Sequence, residues 1–506
     1  AAPGQAHARA AGAAPQDLPR WKGWLGATGV ATVALTRSRQ RGRRAATVRA
    51  AVVDATATTV DVWLRKQLDG QRRPFDAALA QRGQAALEDM ALPSRRQEPW
   101  RYTDLKALFV DADASAAPSP EEISSSLAEL LEDEPKDFRL VFVDGVLAPA
   151  LSTGGGEGKA AFVGGGAALG SQSAPVQERL GGLLTSLPEL DLFTAAPRDT
   201  LGCATLAAVN QSLFEDCALV HVPAGDSDGR VDVEVVFVTT GASIASSSPR
   251  LLIDAGANSR LRVFESHVSL SPADTSLSNG VCRVVLGEGA TVEHEYLQQK
   301  AEGARLVESL TAEVGENARY ELRVVQSGAR IGRLNACIGL QGGASSCDVF
   351  TTMLGNGDQQ LDLHSLIHHS VPGCESRQQH KNIVGDTAEC IFKGSIRVDK
   401  LAQQTKSEQI CRTLLLTKKA QVKAMPSLQI QADDVTCSHG AAVTELDKDE
   451  VFYMKSRGLS PGAARKLLLV AFPQDLLGDL KDSMPKAYER IVDKLVVMAA
   501  RGEDFA

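Results

Sequence analysis

Residues 250–267 read RLLIDAGANSRLRVFESH, and residues 282–298 read CRVVLGEGATVEHEYLQ. Each stretch holds an alternating apolar run, a tight turn of small residues, and a second alternating run. Side chains two apart on a strand share a face. Val292, His294 and Tyr296 therefore point one way, and Glu293, Glu295 and Leu297 the other. Related words follow: LTAEVGENARYELRVVQ (310–326), CIGLQGGASSCDVFTTML (337–354), NIVGDTAECIFKGSIRV (382–398) and LLLTKKAQVKAMPSLQI (414–430). Their turns fall at Gly256-Ala257, Gly289-Ala290, Asn317-Ala318, Gly343-Ala344, Thr387-Ala388 and Lys419-Ala420, spaced about 26 to 44 residues apart. In such a repeat each unit buries its apolar face only against its neighbours, which predicts a β-solenoid. A β-sandwich is the rival, but one sandwich rarely extends over roughly 200 residues. The expected fold class is mainly β: a right-handed parallel β-helix over residues 216–443 with helical parts on either side.

The flanks have a different period. Residues 53–215 read as a helical region with a small hairpin. Val62, Leu64, Leu68, Phe75, Leu79, Ala86 and Leu87 recur at loosely helical spacing, divided by Pro74. Ser119 caps a further helix, with Pro120 at its first position and Glu122 completing a capping box. FRLVFVDGVL (138–147) alternates around Asp144-Gly145, a hairpin signal. Residues 154–170 are glycine-rich and read as a loop. Their GGGEGKA fails as a phosphate loop, because only three residues separate Gly154 from Gly158 and Ala160 replaces the Ser or Thr that would hold Mg²⁺. No nucleotide site of the chain's own is expected. Residues 444–506 return to a helical period and read as an apolar cap on the end of the solenoid.

The charge is uneven. Residues 1–50 hold eight Arg and one Lys against a single acid, Asp17, so they carry +8 of a chain total of −8. The remaining 456 residues carry −16, a poor surface for nucleic acid. Residues 1–52 contain no Glu and pair a modest apolar run, Trp24 to Leu35, with an Arg cluster at 37–44. That run is too short to span a bilayer. The segment reads as a targeting sequence, with a disordered tail as the alternative. The nine cysteines are odd in number and form no CxxC pair, which suits a reducing compartment.

The chemistry concentrates in ADDVTCSHGAAVTELDKDEVFYMKSRG (432–458). Cys437 and His439 stand two apart where a β-rich run meets a helical one. A thiolate and an imidazole on one face suit iron, zinc or copper(I). A buried free cysteine beside a structural histidine is the alternative. A second enrichment places His364, His368, His369 and His380 within 17 positions. No carboxylate or cysteine stands at a clean ligand spacing there, so hydrogen-bonded side chains along a sheet are the favoured reading.

Several long stretches together resemble the SufD subunit family of the SUF iron–sulfur cluster assembly machinery. They are RRQEPWRYTDL (95–105), LDLHSLIHHSVPGCESRQQHKNIV (361–384), FKGSIRVDKLAQQT (392–405), LQIQADDVTCSHGAAVTELDKDEVFYMKSRGL (428–459) and ARKLLLVAF (464–472). The resemblance spans roughly residues 60–500. SufB is similar through the β-helix, but it usually carries Glu after the His of this motif, where Gly440 stands here. The resemblance implies a parallel β-helix that pairs with SufB and binds the ATPase SufC through C-terminal helices. It implies no catalytic turnover of the chain's own, and a transient Fe–S cluster or iron at the SufB–SufD interface. His439 is the implied ligand with Cys437 beside it, and Cys411 is a weaker candidate. Phe452, Tyr453, Arg457, Leu467, Leu468 and Phe472 lie where SufC would dock. With the Arg-rich leader, the resemblance implies the plastid stroma. The alternatives are a SufB-like primary scaffold, a β-helix enzyme acting on polysaccharide, and a structural homodimer. The enzyme would need a carboxylate cluster on successive turns, and none is evident in the sequence.

Overall fold

A computed structural model describes residues 55–68, 73–88, 90, 93–109, 120–134, 136–154, 161–185, 201–225, 229–241 and 246–501. The basic leader and the proposed Ser119 cap lie outside the described residues. From residue 54 onward the chain forms one unit.

Its centre is a parallel β-solenoid of two ten-stranded sheets. Strands are numbered in chain order. Sheet one runs β2 (Val146–Leu147), β1 (Phe138–Val143), β5 (Val231–Thr239), β8 (Arg260–Ser269), β10 (Thr291–Gln299) and β12 (Arg319–Gln326). It continues through β14 (Ser346–Gly355), β16 (Glu375–Val384) and β18 (Thr405–Leu415) to β20 (Val435–Glu445). Sheet two runs β3 (Phe162–Gly165), β4 (Ala218–Val222), β7 (Arg250–Ala255), β9 (Leu277–Leu286) and β11 (Arg305–Val314). It continues through β13 (Ile331–Leu340), β15 (Gln360–His369) and β17 (Glu389–Val398) to β19 (Gln421–Ile430), and the short β6 (Ser246–Ser247) pairs with β9.

From β10 to β20, stacked partners in sheet one are 27 to 31 residues apart. The looser spacing of the sequence words has a simple cause. The turns at 256, 289, 317 and 343 pass from sheet two to sheet one, whereas those at 387 and 419 sit at the opposite corner. The sharper repeat is conformational. A left-handed residue closes the first corner at Asn258 (φ 59°), Gly289 (65°), Asn317 (55°), Ala344 (55°), Gly373 (75°) and Gln404 (61°). Asn and Gly tolerate that region best.

Alternate residues fill the interior. Val292, Tyr296, Tyr320, Leu322, Leu363 and Phe392 belong to one continuous buried core. The opposite faces carry the helices. The outer face of sheet two (Leu277, Val307, Ile331) packs on Trp63 and Leu64 of α1 (Ala55–Leu68) and on Leu206, Val209 and Leu213 of α6 (Ala204–Leu213). Trp100, Leu105 and Leu108 complete that layer. The outer face of sheet one (Phe264, Leu297, Val325, Leu354, Ile383, Leu414) lies under Leu469 of α8 (Pro461–Ala471) and Ile491, Leu495 and Met498 of α10 (Pro485–Arg501).

Three sequence expectations change. The 138–147 hairpin belongs to the solenoid, because β1 pairs in parallel with β5. Part of the glycine-rich 154–170 stretch is strand β3, antiparallel to β4. The C-terminal helices do not cap the solenoid end. α10 runs along sheet one, with Arg490 bonded to Gln299, Lys494 to Gln359 and Arg501 to Asp386. Among the described residues, no strand pairs onto the end formed by β19 and β20.

Candidate metal centre

Among the described residues, β20 pairs only with β18, and β19 only with β17. Both sheets therefore stop at the same end with one unpaired edge each. Soluble proteins usually cover such edges, because bare strands recruit other strands. Apolar Ile430 and Val443 on these edge strands are exposed. The register brings Cys437 beside Ser407, His439 beside Gln409 and Ala441 beside Cys411. Ser407, Gln409 and Cys411 are all buried, so this alternate set faces the interior. Cys437 and His439 thus share a face and point into the mouth of the solenoid. Cys437 packs partly against Ile396 and Val398, and its partial burial raises the thiol pKa. His439 is exposed.

Cys411 sits one turn deeper. Burial pushes its thiol up to about 11, and its sulfur accepts a bond from Asn382 Nδ2 at 3.5 Å. Behind the mouth the interior is polar. Ser376, Gln378, His380 and Asn382 stack beneath Ser407, Gln409, Cys411 and Thr413. A Cβ on Gly394 would overlap the Gln409 amide, so glycine makes room for it. Gln378 Nε2, Gln409 Nε2 and Oε1, His380 Nε2 and Asn382 Oδ1 are buried without a hydrogen-bond partner. Farther in, Val349, Met353, Leu322 and Val324 close the lumen with apolar side chains. The sequence reading missed this polar interior. Its signal, the alternation in Glu375–Val384, becomes legible only once the inward set is known.

The four clustered histidines do not converge. His364 and His368 face outward and His369 and His380 inward. His364 Nε2 lies 3.0 Å from Asp362 Oδ1, and His368 Nε2 lies 2.8 Å from Asp399. His369 bonds Ser376 at 2.9 Å and His380 bonds Thr351 at 2.6 Å.

The helices after β20 stand proud of the solenoid. Asp447 caps α7 (Lys448–Ser456), accepting from the Asp449 amide, and Ser460 caps α8 with Pro461 in its first turn. Phe452 is 70 % exposed, Tyr453 60 % and Leu467 50 %. Arg457 lies over the Tyr453 ring. Leu468 is half-buried, and Phe472 packs inward beneath Lys381. A cleft of about 380 Å³ separates these helices from the sheet, lined by Leu416, Phe452, Lys455, Leu469 and Met498.

Residues 237–472 match the family described as SUF system FeS cluster assembly, SufBD core domain. The chain is 30 % identical over 423 residues to an iron–sulfur cluster assembly SufBD family protein of Synechocystis, covering 81 % of this chain and 89 % of that one. This chain belongs to the SufBD family. Within it the chain is SufD-like. It is 27 % identical to Escherichia coli iron–sulfur cluster assembly protein SufD, over 77 % of this chain and 86 % of that protein. The chloroplastic protein ABCI7 of Arabidopsis thaliana is 28 % identical, over 76 % and 78 %. The matched SufBD core runs from β5 through α8, so it includes both the open end and the exposed helix pair.

Proposed function

We propose that this SufBD protein is a SufD-type scaffold subunit for iron–sulfur cluster assembly, without catalytic turnover of its own. One observation carries the reading. Cys437 and His439 face the mouth between two unpaired sheet edges, and they supply two donors where a cluster takes about four. The remaining ligands come from a partner solenoid that extends the sheets, the role the resemblance gives to SufB. Backbone pairing along the open edges supplies affinity and register. The iron or nascent cluster is cargo, held transiently at that junction.

The exposed faces of α7 and α8, with Phe452, Tyr453, Arg457 and Leu467, are the docking surface for SufC; Leu468 is half-buried beside it and Phe472 packs beneath. ATP hydrolysis belongs to SufC and shifts the paired solenoids, opening the cluster site. The chloroplastic relative and the Arg-rich, acid-poor first 52 residues support work in the plastid stroma.

The test is co-expression of the chain from residue 53 onward with SufB and SufC, followed by anaerobic reconstitution. The wild-type complex gains iron and visible absorption. The His439→Ala complex assembles but stays colourless. If it loads iron as well as wild type, His439 is no ligand, and the chain serves only as a structural and docking subunit.

A further inference from the structure

A second group of ligand-type side chains lies deep inside the solenoid. Among the described residues, two sets of three donors gather within 4.8 Å of one another: Glu265, His267 and Glu308, and Glu265, Cys282 and His294. All five side chains are buried. β8 lies six strands from β20 along sheet one, about 29 Å away at the usual strand spacing. This group is therefore separate from the open end.

We propose that the solenoid interior holds one divalent first-row transition ion, Zn²⁺ or Fe²⁺, between Glu265, His267 and Glu308. His267 Nε2 stands 2.9 Å from Glu265 Oε1 and 3.8 Å from Glu308 Oε2. Ligand atoms around a tetrahedral zinc are about 3.4 Å apart, given bonds of roughly 2.0–2.2 Å. The two distances bracket that value, so small side-chain shifts bring the three donors to bonding distance, and a water fills the fourth position. Imidazole and carboxylate together suit a borderline divalent ion.

Glu308 supplies the independent observation. Its Oε2 is buried, points toward the His267 ring and has no hydrogen-bond partner. Buried carboxylates are ordinarily paired or bound to metal. The fold makes space for this one, since a Cβ on Gly280 would overlap the Glu308 carboxylate. Burial and the neighbouring Glu265 charge raise the Glu308 pKa, whereas His267 and His294 outweigh burial and lower that of Glu265. An ion at this point would neutralise both carboxylates. The surroundings orient the ligands as well. His294 Nε2 holds the far oxygen of Glu265 at 3.0 Å, and its Nδ1 meets the Tyr320 hydroxyl at 2.9 Å. Such outer partners fix ligand geometry in known metal sites.

The test uses the full chain carrying Cys437→Ser and His439→Ala, so that the open end loses both donors of its proposed site. It is purified from cells grown with added Zn²⁺ or Co²⁺ and dialysed against a mild chelator. About one equivalent of metal should remain, and the Co²⁺ form should show tetrahedral d–d absorption. Adding Glu308→Gln should reduce retained metal at least tenfold with unchanged circular dichroism. A folded parent without metal overturns the proposal, as does full retention in Glu308→Gln. If that variant does not fold, the Co²⁺ spectrum of the parent decides: tetrahedral bands support the site and their absence overturns it. The outcome does not depend on the open-end reading, whose residues are removed.

Discussion

The Arg333 guanidinium lies over the Trp100 ring, 3.9 Å from its centroid, and both side chains are fully buried. Arg333 also donates to the Pro99 carbonyl at 2.7 Å, Thr103 Oγ1 at 2.8 Å, Asp362 Oδ2 at 3.0 Å and the Leu201 carbonyl at 2.8 Å. Trp100 Nε1 donates to the Gly202 carbonyl at 3.0 Å. One arginine thus fastens the EPWRYTDL segment and the helical layer to sheet two. Arg333→Ala would strip the buried Asp362 of its guanidinium partner, leaving it only Thr103 and His364, at a cost of about 3–5 kcal/mol. Trp100→Ala should cost about as much through lost packing. Because the two side chains touch, the double variant should lose less than the sum. Urea denaturation checks all three.

The cysteines should separate by reactivity. Eight are buried, and only Cys437 is partly exposed. A thiol reagent applied to the native chain should modify Cys437 alone, faster as the pH rises toward its raised pKa. Cys437→Ser and His439→Ala should alter stability by no more than about 0.5 kcal/mol. Cys411→Ser, in the core, should cost about 1–3 kcal/mol. Mass spectrometry of labelled protein and thermal melts read these out.

Stability should fall on acidification below about pH 6.5. Burial lowers His369 to about 4 and His380 to about 3. Both therefore stay neutral in the folded chain while the unfolded chain takes up protons. Their penalty is absent above the unfolded pKa and grows as pH falls, by about 1.4 kcal/mol per unit for each histidine. Asp362 adds loss at lower pH. Burial opposes its ionisation, but His364 and Arg333 bring it to about 2, so its stabilisation is complete above the unfolded value and is lost as pH falls toward 2. Urea midpoints from pH 7 to 4 should show the first trend, and His380→Gln should flatten it by one proton.

The helix pair should behave as a surface built for contact. Phe452→Ala and Leu467→Ala should leave the melting temperature unchanged within about 1–2 °C, since exposed positions contribute little. Both should reduce co-purification of SufC. Phe472→Ala should instead destabilise the chain, because that ring packs under Lys381.

The open edges should pair even without SufB. The isolated chain should form a dimer through β19 and β20. Val443→Lys, an edge charge, should shift it to monomer in sedimentation without loss of stability.

The solenoid, its helical flanks and the shared face of Cys437 and His439 were legible in the sequence. Strand alternation and turn chemistry are local, and a period of two fixes which residues travel together. Both C-terminal helix starts rest on equally local chemistry, since Asp447 and Ser460 each cap through their own side chains. It could not say which alternate face is interior, because either face of a strand such as Glu375–Val384 carries polar residues. Nor could it show that the C-terminal helices lie along sheet one and leave the end bare. That depends on apolar contacts between Leu469, Ile491 or Met498 and strands far away in the chain. Glu265, His267 and Glu308 were equally hidden. Glu265 and His267 stand two apart, but Glu308 reaches them from the opposite sheet, and only the coiling of the whole solenoid sets the three together.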